Sequence, residues 1–166
     1  MHSDNDPCPH ILLLGCMSSG KSTVLNALLG RGVFPAGNRA TTAQVFTIVH
    51  DPGCTGAVCR NPTESPEWHP LTQERLAAYN GAMSENTPAE VRLCLAHLER
   101  KRRVVFYDTP GPNTSKFGGH REETYFALEK LPLTHIFLVL DMVQLHTRDE
   151  EALLKDMGRV VSAKLR

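Results

Sequence analysis

Residues 11–14 are apolar without interruption and run directly into glycine, serine and lysine at 15–22. A short apolar run that ends in a glycine turn is the pattern of a strand buried on both faces of a parallel sheet. Val24, Leu25, Leu28 and Leu29 then recur at helical spacing, and Gly30 and Gly32 stop the helix. Residues 45–50 read as the next strand, and the turn chemistry of 51–56 predicts that 57–60 fold back on it as a hairpin. Pro62, Pro66 and Pro70 mark an irregular stretch before a short helix expected over 71–82. Thr87, Pro88 and Glu90 form a capping box that predicts a further helix, with Val91, Cys94, Leu95 and Leu98 on one face. Residues 103–107 make another strand and 136–140 a third core strand. Thr147 with Glu150 opens a last helix carrying Leu153, Leu154, Met157, Val160 and Val161. Apolar strands alternating with helices predict an α/β fold, three layers deep, around a mostly parallel sheet.

Composition narrows the function classes. A chain of 166 residues with 41% apolar content is long enough for one domain with a real core. Lys and Arg number 18, as do Asp and Glu, so no electrostatic footprint for nucleic acid or an anionic membrane exists and any anion site must be local. Cys8, Cys16, Cys54, Cys59 and Cys94 are odd in number and scattered, which argues for a reducing compartment; a cytoplasmic setting is expected. The segment before Cys16 carries Asp4 and Asp6 and lacks the basic leader of a secretory signal. Residues 136–140 are far too few to span a bilayer.

The glycine-rich segment carries the chemistry. Gly15, Gly20, Lys21 and Ser22 complete the G-x-x-x-x-G-K-[ST] spacing between a strand and a helix, where a phosphate-binding loop must sit. Successive backbone N–H groups in such a turn point at phosphate oxygens, and the helix N-terminus adds partial positive charge. Lys21 is expected to reach the β- and γ-phosphates and Ser22 to ligate Mg²⁺. Asp108 ends a strand and opens the turn D-T-P-G, so its carboxylate completes the metal site while the Gly111 N–H approaches the γ-phosphate. Thr42, with Thr41 close behind, is expected to ligate Mg²⁺ and sense that phosphate.

"GCMSSGKSTVLNALLG", then "FPAGNRATTA" and, after a long insertion, "DTPGPN" resemble the G domain of dynamin-like large GTPases, in particular bacterial ones. The resemblance covers residue 11 to the C-terminus and implies a P-loop NTPase fold that binds and hydrolyses GTP with Mg²⁺. It implies a catalytic set of Ser18, Lys21 and Thr42, in which Ser18 acts at the β–γ bridge with a monovalent cation. It implies phosphate contacts from Gly15, Ser18, Ser19, Gly20, Lys21, Ser22, Thr23 and Gly111, and metal contacts from Ser22, Thr42 and Asp108. It also implies self-association through the G domain, with membrane contact only through segments outside this sequence. On this reading the chain is one partial G domain over 1–166: phosphate loop 15–22, first switch about 33–44, insertion about 51–100, second switch 108–122. The family's guanine-reading Asn/Thr-Lys-x-Asp motif is expected on a strand that would follow 166, and the sheet is expected to be open beside 136–140.

Two other readings stand beside this one. A P-loop ATPase or kinase of another class shares the lysine loop, and a catalytically silent interaction module would keep the fold alone. Cys54 and Cys59, with His50 and His69, lack the short spacing of structural zinc pairs and read as unrelated residues. Gly118, Gly119 and His120 read as a flexible piece of the second switch, and Lys101, Arg102 and Arg103 as a solvated helix end.

Overall fold

The computed structural model describes residues 8–34, 44–81, 87–95, 97–98, 103–111, 118–143, 145 and 147–164. Strand β1 (His10–Leu14) leads into helix α1 (Lys21–Leu29). Then come β2 (Phe46–His50), β3 (Val58–Arg60), β4 (His69–Pro70), α2 (Gln73–Gly81), β5 (Ala89–Leu93) and β6 (Val104–Asp108). Helix α3 (Gly118–Lys130), β7 (His135–Leu138) and α4 (Arg148–Lys164) complete the order. Among the described residues the strands form one seven-stranded sheet ordered β4-β3-β5-β2-β6-β1-β7. Strand β1 runs parallel to both β6 and β7, and β2 parallel to β5; β2 meets β6 antiparallel, as β3 does β4 and β5.

The unbroken apolar run of β1 follows from its place inside the sheet. Leu13 joins the core made with Leu25 and Leu29 of α1 and Leu76 and Tyr79 of α2. Leu12 and Leu14 point into a second core with Ala127 and Leu128 of α3 and Leu153 of α4. Helices therefore cover both faces, which makes the three layers expected of an α/β fold. Helix α1 is bounded by two glycines in the left-handed region, Gly20 at φ 92° and Gly30 at φ 67°. Past its end, Asn26 ties the outgoing chain down: its Oδ1 accepts from the N–H groups of Val33 and Phe34, each at 2.9 Å, and its Nδ2 donates to the Phe34 carbonyl at 2.7 Å.

Three expectations are corrected. The segment from Thr87 is a strand, β5, not a helix: Ala89, Val91 and Leu93 are buried while Glu90 and Arg92 between them are half-buried, a period of two. Val91, Leu95 and Leu98 also satisfy helical spacing, so the local pattern allowed both and pairing with β2 and β3 decided. The turn at 51–56 forms, with Gly53 N–H donating to Asp51 Oδ1 at 3.0 Å, but β3 does not return to β2, because β5 lies between them. Residues 118–120 are the first turn of α3, a helix whose Thr124, Ala127 and Leu128 are buried together. The third apolar strand, β7, lies at the edge of the sheet beside β1 among the described residues, in keeping with the open edge expected beside 136–140, with Phe137 41% exposed and Leu140 beyond its end.

Helix α4 begins as expected: Thr147 Oγ1 accepts from Glu150 N–H at 3.3 Å, and the Thr147 carbonyl from Glu151 N–H at 3.0 Å. Leu153 is buried, whereas Leu154 of the same expected face stands exposed. Among the described residues no helix is long and apolar enough to cross a membrane.

Candidate functional site

The phosphate loop leaves the C-terminal end of β1, the side of a parallel sheet where ligands collect. Gly15 is required there because a Cβ would strike the Val139 carbonyl oxygen and lie 2.6 Å from Ser19 Oγ. Ser18, exposed on the loop, holds φ 62°, a conformation non-glycine residues rarely adopt. Ser19 Oγ is buried and finds no hydrogen-bond partner among the described residues. Thr23 follows in the first turn of α1 with an exposed side chain.

Lys21 is only 6% exposed. Its Nζ donates to the carbonyls of Gly15 and Cys16, both at 2.9 Å, so the ammonium curls back over the loop that precedes it. Burial pulls its pKa below the usual lysine value, and the negative charge of Asp108 works against that shift. Ser22, also buried, donates its Oγ proton to Asp108 Oδ2 at 3.3 Å, across 86 positions of sequence. A hydroxyl and a carboxylate, both hard oxygen donors, thus meet beside a lysine. That donor set fits Mg²⁺, which takes few protein ligands and fills its remaining positions with water and phosphate oxygens.

Cys16 lies inside the loop. Burial pushes its thiol pKa up, the Lys21 charge opposes this, and Glu150 and Asp149 from the first turn of α4 reinforce it. The thiol is therefore held protonated beside the lysine, with the character of a small packing residue.

Asp108 closes β6 and is fully buried. The turn after it is clamped on two sides: Thr109 Oγ1 donates to the Leu13 carbonyl at 3.0 Å, and Thr124 Oγ1 on α3 to the Pro110 carbonyl at 2.9 Å. Gly111 lies so close to the phosphate loop that a Cβ would strike the Met17 nitrogen and stand 2.7 Å from the Cys16 carbonyl carbon.

Gly15, Ser18, Ser19, Gly20, Lys21, Ser22, Asp108 and Gly111 are thus brought together as the motifs predict, with Thr23 beside them facing outward. Thr41 and Thr42 lie outside the described residues. The two threonine clamps were not foreseen. Thr109 was visible inside D-T-P-G, and Thr124 three positions before the buried Ala127 carried the signal of a helix that went unread.

Compared with models of known protein families, residues 11–160 match that of the dynamin family. No curated protein matches the chain.

Proposed function

Because the chain belongs to the dynamin family of GTP-binding GTPases, we propose that this loop, this turn and the segment around Thr42 form its nucleotide site. Members of the family bind GTP, usually with Mg²⁺, and commonly self-associate. One observation carries the reading for these residues: a buried lysine whose direct hydrogen bonds go to two neutral carbonyls, next to a serine hydroxyl bonded to a buried carboxylate. A buried cation whose hydrogen bonds go to neutral carbonyls, with the charge of Asp108 nearby to favour its protonated form, keeps those donors for an anion that need displace only carbonyls.

In this reading the backbone N–H groups of the loop, with Gly15, Ser18, Ser19, Gly20 and Thr23 setting its shape and rim, hold the phosphates. Lys21 meets the β- and γ-phosphates, and the Gly111 N–H meets the γ-phosphate from the far side. Ser22, Thr42 and Asp108 hold Mg²⁺, which supplies charge neutralisation on the phosphate oxygens when bound. Thr42 and the backbone of the second switch orient the attacking water. Ser18, strained and exposed, reaches the β–γ bridge together with a monovalent cation. The chemistry is positioning and charge stabilisation throughout. Self-association across the nucleotide face supports turnover, and the free thiols fit a cytoplasmic setting.

The test is phosphate release from GTP with Mg²⁺ across a range of protein concentrations. Specific activity should rise with concentration and vanish on chelation. Bound GTP that stays intact at every concentration would favour the silent interaction module instead.

A further inference from the structure

The peptide unit between Pro110 and Gly111 is held from one side. Pro110 has no N–H, so its carbonyl is its one backbone hydrogen-bonding group, and Thr124 Oγ1 donates to that carbonyl at 2.9 Å. Thr124 is 1% exposed and sits within α3, a helix that packs on the second core through Ala127 and Leu128. Among the described residues no peptide is cis, so the Pro110–Gly111 unit is trans and planar, and its C=O and N–H point in opposite directions. Whatever fixes the Pro110 oxygen therefore fixes the aim of the Gly111 N–H. With the oxygen turned toward α3, the N–H is turned away from it, and Gly111 itself abuts the backbone of Cys16 and Met17. The bond from Thr109 to the Leu13 carbonyl anchors the other end of the same turn to β1, so the peptide cannot rotate by shifting the turn as a whole.

We infer that Thr124 is a positioning residue for the terminal phosphate: through the Pro110 carbonyl it aims the Gly111 N–H at the γ-phosphate and so sets the preference for triphosphate over diphosphate. The inference rests on the nucleotide site proposed above. It makes α3 the element that the γ-phosphate pulls on, and by reciprocity a displacement of α3 changes triphosphate affinity while leaving contacts to the α- and β-phosphates alone.

The experiment is calorimetric titration, with Mg²⁺, of GDP and of a non-hydrolysable GTP analogue into wild type, Thr124→Val and Thr124→Ser. Losing the aim of one donor to a charged oxygen should weaken the triphosphate analogue about tenfold in Thr124→Val, with GDP affinity within about twofold of wild type. Thr124→Ser, which keeps the hydroxyl, should restore the wild-type ratio. A structural role alone would move both nucleotides together, so an unchanged ratio in Thr124→Val overturns the inference. If valine prevents folding, Thr124→Ala removes the same hydroxyl with less strain and carries the same expectation. A wild-type chain that binds neither nucleotide overturns the nucleotide site itself and the inference with it. A wild type that binds both, beside a variant with an unaltered ratio, overturns the role of Thr124 alone.

Discussion

The two halves of the sheet, on either side of β2, hold positive charge in opposite ways. In the β3–β5 half, Arg60 meets Glu90 at 2.7 Å, both partly exposed, and its guanidinium lies 4.5 Å over the Trp68 ring, which Arg92 also stacks on. Those charges are matched by a carboxylate and an aromatic face and are screened by water, so each contact contributes about 1 kcal/mol or less. In the β1–β6 half Lys21 is buried, bonded to carbonyls, and flanked by a serine in the left-handed region. An ion pair at the surface is complete as folded. A buried cation held by dipoles, in a loop that also stores backbone strain, is the arrangement of a binding site.

The largest test of this contrast removes one carboxylate from each half. Asp108→Ala leaves Lys21 buried without its countercharge and should lower stability to urea by about 3 kcal/mol or more. Glu90→Ala should cost under about 1 kcal/mol, since Arg60 keeps water and Trp68.

Backbone approach separates the halves next. Gly111→Ala places a methyl against Met17 and should cost about 1–3 kcal/mol in thermal unfolding, with a further loss of nucleotide affinity. Gly56→Ala, in the turn before β3, meets open space and should be near neutral.

A smaller effect comes from Arg60→Ala. It should lower stability by about 1 kcal/mol through the lost stack and ion pair, and leave nucleotide affinity untouched. A change in affinity would show that the two halves are coupled.

The smallest is a slope. Burial raises the Tyr107 hydroxyl from 10 to about 12, and Cys8 adds to the shift, while His10 Nδ1 lies 2.7 Å from that oxygen. Between these values the unfolded chain loses the tyrosine proton first, so it binds fewer protons than the folded protein and stability falls as pH rises. Tyr107→Phe should flatten the decline above pH 10, as read by urea midpoints along a pH series.

The phosphate loop was legible because each of its residues answers a local demand. Gly15 is required by the Val139 carbonyl, Gly20 by its positive φ, and the motif's fixed spacing states both. The far end of the sheet was not, because its deciding contacts are remote in sequence. Val91, Leu95 and Leu98 fit a helix as well as Ala89, Val91 and Leu93 fit a strand, until Arg60 stands opposite Glu90 and β2 opposite β5. Helix α3 was hidden by Gly118 and Gly119 at its start, although Thr124, Ala127 and Leu128 mark its buried face. With α3 unread, no local pattern revealed that Thr124 reaches back to Pro110.

Lys21, on this reading, is a buried cation kept for phosphate. The most direct test is calorimetric titration of GTP, with and without Mg²⁺, into wild type and Lys21→Ala. Wild type should bind in a Mg²⁺-dependent manner and the variant about 100-fold more weakly, the cost of removing a desolvated charge from its anion. Equal affinity of the two proteins for GTP would contradict this reading.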